Sequence, residues 1–145
     1  MSTLTAEETK MNAAEVRKIT PVLVVEEVEP CIRFWVERLG FEKTVEVPEG
    51  DKIGFVILQK GAVELMYQSF GSVEKDAPKS MQPAQRGPTF LYTEVGNLGE
   101  IIAAMKGVEV AMPERVTFYG AREIGVKDPA GHFVIFAQLG VAPHS

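Results

Sequence analysis

Order in the hydrophobic pattern begins at Ile19. The run Pro21-Val22-Leu23-Val24-Val25 is short, apolar and β-branched, and predicts a buried strand ended by Glu26 and Glu27. Pro30 then suits the first turn of a helix, where a missing N–H costs nothing. Ile32, Phe34, Trp35 and Leu39 follow near helical spacing, and Gly40 predicts a C-cap. Residues 41–47 alternate and predict a strand. Pro48-Glu49-Gly50-Asp51 reads as a turn. Residues 53–59 and 62–68 predict two more strands joined at Lys60-Gly61. The order is strand, helix, then a three-stranded meander.

Residues 71–88 break the pattern with Ser, Lys, Gln, three Pro and two Gly, and predict a linker or a loop over a pocket. The plan then repeats. Residues 89–95 predict a strand. Residues 98–106 predict a helix carrying Leu98, Ile101, Ile102 and Met105, capped by Gly107. Residues 108–112 and 121–127 predict strands, Asp128-Pro129-Ala130-Gly131 a tight turn, and 132–139 the last strand. Landmarks recur: Val25 with Val95, Gly40 with Gly107, Lys60-Gly61 with Ala130-Gly131, Gln68 with Gln138. A half-chain repeat predicts a pseudo-twofold arrangement. Four strands and one helix cannot cover both faces of a sheet. Helices on the outer faces would leave the inner faces to cup a cavity.

The bulk numbers narrow the picture. A chain of 145 residues that is 46% hydrophobic and 24% charged suits one globular domain with its own core. The boundaries predicted are a flexible tail at 1–17, a single domain at 18–140 and a tail at 141–145. Within the domain, module one spans about 18–70, the linker about 71–87 and module two about 88–140. A net charge of -5 without runs of Lys or Arg argues against nucleic acid and anionic membrane. No apolar run approaches the roughly 20 residues of a membrane span, and the N-terminus has no apolar core for export, so the expected location is cytoplasmic. With one cysteine, Cys31, no intramolecular disulfide can form, and a buried or half-buried thiol is expected.

Two motifs carry a resemblance. Pro21-Val22-Leu23 with Ile32-Arg33-Phe34-Trp35-Val36-Glu37-Arg38-Leu39-Gly40-Phe41 resembles the first strand and helix of the glyoxalase/bleomycin-resistance/dioxygenase (vicinal oxygen chelate, VOC) superfamily. Tyr119-Gly120-Ala121-Arg122-Glu123, running on to Asp128-Pro129-Ala130-Gly131-His132, resembles the last hairpin of its bleomycin-resistance branch. With the repeat, the resemblance spans about 19–139. It implies an α+β fold of two tandem βαβββ modules, whose curled mixed sheets surround a cavity. It also implies a homodimer, with Pro21 where the N-terminal strand would cross between subunits.

The resemblance permits a test of metal chemistry. Metal enzymes of the superfamily carry ligands on the first and last strands of each module. By that correspondence the four positions fall at Thr20, Glu64, Phe90 and Ile135. Only Glu64 is a competent ligand, whereas a divalent ion needs several converging donors. Neither a metal site nor a cofactor is therefore expected. His132, after the turn, reads as a solvated hairpin histidine. By the same correspondence Glu64, Met66, Phe90, Tyr92, Phe133 and Ile135 line the pocket, with Phe118 and Tyr119 over its mouth. Aromatics with a few polar groups suit a small planar or cationic organic ligand. Each has a plainer reading: the apolar residues as core, Glu64 in a structural ion pair, Trp35 in packing or an interface, and Arg122 and Glu123 in structure or a subunit interface.

The expected function is a metal-free protein that binds and sequesters a small molecule, in the manner of antibiotic-resistance proteins. The alternative is an enzyme of glyoxalase or dioxygenase type. It would either use metal on atypical ligands such as Glu64 and His132, or be metal-free with Glu64 as general base. A vestigial pocket serving a protein partner is a further alternative.

Overall fold

The computed structural model describes residues 17–81 and 87–140. The expected tails, apart from Arg17 at the first, and linker residues 82–86 lie outside the described residues. Strand β1 (Val22–Val25) leads into helix α1 (Glu29–Leu39), then β2 (Glu42–Glu49), β3 (Lys52–Lys60) and β4 (Val63–Ser69). After helix α2 (Phe70–Asp76) and a 3-10 turn (Lys79–Met81), the second half gives β5 (Phe90–Glu94), α3 (Leu98–Ala104), β6 (Val110–Val116), β7 (Arg122–Lys127) and β8 (Phe133–Gln138). The two mixed sheets have orders β1-β4-β3-β2 and β5-β8-β7-β6, each with its first strand parallel to its last. This is the tandem βαβββ arrangement expected, and the sheets do not close into a barrel.

Helix α1 shows why these residues fold this way. Pro30 sits in its first turn, and Gly40 ends it in the left-handed region at φ 72°. Its buried stripe of Cys31, Phe34 and Trp35 joins Leu23, Val25, Leu65 and Tyr67 of the first sheet and Val126, Val134 and Phe136 of the second in one core. The alternate residues of each strand point away from that core, because side chains on a strand alternate faces.

Three local readings differ. Pro48 and Glu49 belong to β2 rather than to a turn. Pro48 adjoins a register irregularity, where a missing N–H is tolerated, and the reversal is left to Gly50 at φ 63°. The segment after β4 is not irregular throughout, since Ser69 caps α2 by accepting from the Ser72 N–H. Strand β6 reaches Val116, four residues past the expected end at Met112, because bulges absorb Pro113.

The halves are joined by buried polar contacts. The Trp35 indole N–H donates to the Tyr67 hydroxyl at 2.8 Å, and that hydroxyl donates to Asp128 Oδ2 at 2.8 Å. Asp128 Oδ1 accepts from the N–H groups of Ala130 and His132, shaping the turn before β8.

Candidate functional site

The expected pocket residues occupy the sheet faces that point away from the core. On β4, Glu64 and Met66 are half-buried, and Met66 lies beside Val22 and Ile57 in the register. On the second sheet Phe90 is opposite Phe133, and Tyr92 is opposite Ile135. Phe90 and Phe133 stack with ring centroids 5.1 Å apart. Phe118 and Tyr119 stand edge to face at 5.1 Å in the turn between β6 and β7. Four of these aromatics remain open to solvent: Phe90 is 67% exposed, Tyr92 53%, Tyr119 54% and Phe118 91%. The structure thus brings Phe90, Tyr92, Phe133 and Ile135 together, with Phe118 and Tyr119 alongside the same sheet. Glu64 and Met66 lie on the other.

Glu64 has partners of its own. Its Oε1 accepts from Lys18 at 2.9 Å and from the Thr20 hydroxyl at 3.2 Å. The Lys18 ammonium holds the carboxyl below the ordinary glutamate value, against a smaller opposing push from burial. A general base working near neutral pH needs the opposite shift. The remaining positions of the metal correspondence do not fit an ion either. Thr20 is spent on Glu64, Phe90 is stacked on Phe133, and Ile135 has no donor atom. Among the described residues, no three His, Cys, Asp or Glu side chains gather to hold one.

His132 departs from the sequence expectation. It is buried rather than solvated, because its ring spans the junction between the halves. Nδ1 accepts the Thr89 N–H at 2.8 Å, so in the neutral ring Nε2 carries the proton and faces the Val24 carbonyl at 3.3 Å. With both nitrogens engaged, His132 is a clamp between β1 and the entry to β5. Cys31 is buried, and burial followed by the nearby Asp128 charge pushes its thiol far up, so it is an inert core residue.

Glu123 and Arg115 were not singled out for the site. Strand β7 pairs Glu123 with Ala137 and with Arg115, and its side chain is 1% exposed. Oε2 accepts the hydroxyls of Tyr92 and Tyr119, the latter at 2.7 Å. Oε1 accepts from Arg115 Nε at 3.2 Å and is ion-paired with Arg115 Nη2 at 3.2 Å. Burial pushes the carboxyl up, but these hydrogen bonds together outweigh it and leave it below the ordinary value. The contact with Glu123 raises the Tyr92 phenol well above its usual range. Neighbouring Arg122 points the other way and pairs with Glu114. Strand periodicity held the signal, since Glu123 is two residues from Gly125, which lies opposite the inward Ile135.

Two clefts run along the junction. One of about 670 Å³ is lined by Val24, Glu26, Pro30, Phe70, His132 and Phe133, among others. Phe133 lines this cleft and also stacks on Phe90, whereas Phe90, Tyr92, Tyr119 and Ile135 are not part of its lining. The other, about 600 Å³, holds Arg33, Phe34, Arg38 and Lys127. Its cations are largely committed: Arg38 donates to the Ala104 and Lys106 carbonyls, and Lys127 pairs with Glu109. No helix among the described residues is long and apolar enough to cross a membrane.

Comparison with known proteins agrees with this geometry. Residues 18–136 match the model of the Glyoxalase/Bleomycin resistance protein/Dioxygenase superfamily. Among solved structures, TioX from Micromonospora sp. ML1 is similar at a TM-score of 0.68 and 17% identity, covering 84% of this chain and 98% of that one. A glyoxalase/bleomycin resistance protein/dioxygenase from Nocardioides gives 0.67 and 19%, covering 94% and 93%. Lactoylglutathione lyase from Agrobacterium tumefaciens gives 0.68 and 14%, covering 86% and 96%. At these identities the likeness is one of fold. No protein of curated function matches the sequence.

Proposed function

The chain belongs to the Glyoxalase/Bleomycin resistance protein/Dioxygenase superfamily, and from that premise we propose that it is a metal-free binder of a small planar aromatic molecule. The reading is closest to the bleomycin-resistance manner of action, sequestration without chemistry. The observation that carries it is the open face of the second sheet, where the Phe90–Phe133 stack and the half-exposed rings of Tyr92 and Tyr119 are left for a ligand to cover. Each ring–ring contact supplies about 0.5–1.5 kcal/mol beyond the area it buries. The neighbouring cleft, which Phe133 also lines, falls within the roughly 300–1,000 Å³ of small-molecule sites. A cationic ligand would have to displace Lys18 to use Glu64, so aromatic character outranks positive charge. Glu64 as catalytic base finds no support in its pairing with Lys18. We also propose a homodimer, in which a second copy covers exposed Val22, Val45 and Val47 of the first sheet.

The test is fluorescence titration with naphthalene-type probes. Micromolar binding that falls about tenfold in Phe90→Ala and in Phe133→Ala, and stays in Glu64→Ala, is the expected result. Saturable binding lost only in Glu64→Ala would overturn the reading.

A further inference from the structure

Glu123 is a charged side chain buried beneath an open aromatic face, and among the described residues its carboxylate accepts only from other side chains of that face. Among the described residues its hydrogen-bond donors are Arg115 Nε, the Tyr92 hydroxyl and the Tyr119 hydroxyl, and Arg115 Nη2 completes the ion pair. A phenol has one proton to give. Both tyrosines spend theirs inward on the same carboxylate oxygen. On these half-exposed residues the phenol oxygens therefore meet a ligand only as acceptors, and they lie close together because they share that one partner. The Arg115 ion pair neutralises the carboxylate, so the surface offers two acceptor oxygens without net charge. The turn holding Tyr119 is itself fixed. Thr117 N–H donates to the Ala121 carbonyl at 2.8 Å, and Gly120 takes φ 80°.

We infer that Glu123 sets the specificity of this face by turning Tyr92 and Tyr119 into a pair of hydrogen-bond acceptors, so that the site selects planar aromatic molecules bearing an N–H₂ donor at the ring edge. The inference rests on the aromatic-face reading above and adds the polar class of the ligand. An amine or carboxamide N–H₂ can give one hydrogen to each phenol oxygen. An edge carrying only acceptors meets lone pairs and stays unsatisfied. Glu123 touches no ligand and acts as a positioning residue.

The experiment compares 2-aminonaphthalene with 2-methylnaphthalene, neutral and nearly isosteric probes, by titration against the full chain. The expected result is that the amine binds about tenfold more tightly. That preference disappears in the Tyr92→Phe/Tyr119→Phe double variant while 2-methylnaphthalene binding persists. Should the double variant melt early in circular dichroism, Tyr119→Phe alone should cut the preference about threefold. Glu123→Gln gives a readout that a structural role would not move. The amide N–H₂ donates to the phenols and frees their protons outward, so preference shifts towards 2-acetylnaphthalene, an acceptor. Equal binding of amine and methyl probes overturns the donor selectivity and leaves the aromatic-face reading intact. Binding of neither overturns both. Retained amine preference in the double variant, or in Glu123→Gln, overturns the role assigned to the tyrosines and Glu123.

Discussion

Tyr67→Phe removes one oxygen from the contact that ties the halves together. The hydroxyl is buried, accepts from the Trp35 indole N–H and donates to Asp128, both at 2.8 Å. Phenylalanine keeps the ring and opens no large cavity, so the loss is polar. An orphaned buried indole N–H costs about 1–3 kcal/mol, and a hydrogen bond to a charged group is worth about 1.5–3 kcal/mol. Asp128 keeps the Ala130 and His132 N–H groups, so the expected sum is about 2–4 kcal/mol. At roughly 3 °C per kcal/mol for a chain of this size, Tm falls by roughly 6–12 °C. Urea unfolding followed by far-UV circular dichroism gives the free energy, and the Trp35→Phe background closes a double-mutant cycle. With no indole to orphan, Tyr67→Phe should cost at least about 1 kcal/mol less there. A total loss under about 1 kcal/mol, or the same loss in both backgrounds, would refute the reasoning.

His132→Phe should cost about 1–3 kcal/mol in urea unfolding, since it strands the Thr89 N–H and the Val24 carbonyl. Glu123→Gln should destabilise most near neutral pH. The folded carboxyl keeps its charge to lower pH than the unfolded one, so its contribution is full above about pH 4.3 and fades as pH falls through the folded value. The gap in Tm to the parent should therefore close on acidification from pH 7 to 3, and a widening gap would contradict the assignment. Cys31 should react with a thiol reagent only on unfolding, seen as a labelling rate that tracks urea concentration.

Much of the fold was legible because hydrophobic period and turn chemistry agreed along the chain. Gly40 after Leu39 marked the end of α1, and the Val22–Val25 run marked a strand, although only Leu23 and Val25 are buried where the whole run was expected to be. Pro48 and the 71–76 stretch misled for one shared reason. Pro, Gly and Ser are turn formers by propensity, and a bulge or a capped helix can accommodate each. That Phe90, Tyr92, Phe133 and Ile135 share one sheet face was legible through strand alternation and the family resemblance. Their polar support was not. Glu123 is chosen by partners far away in sequence, Tyr92 on β5 and Arg115 on β6, and no local pattern ties them together. His132 was misplaced similarly, because its burial is decided by the approach of Thr89 and Val24 across the junction.

The division of faces bears on how such a site can change. The core-facing side of each sheet carries the packing, and the Tyr67–Asp128 and His132 contacts lock the halves from that side or from the junction. The opposite faces contribute little to these contacts. Substitution there is consequently cheap in stability, as expected for exposed positions away from special features. A phenylalanine at position 90 and an isoleucine at 135, which the resemblance sets against metal-ligand positions, cost the fold nothing that the core supplies. Glu123 is the exception on that face, since a buried carboxylate without its donors is destabilising. The two tyrosines of the proposed ligand face are thus coupled to folding through Glu123, whereas exposed Phe90 and Phe118 can change at little cost to folding. Aromatic selectivity on this scaffold can drift by surface substitution, while a change in polar selectivity requires repacking around Glu123.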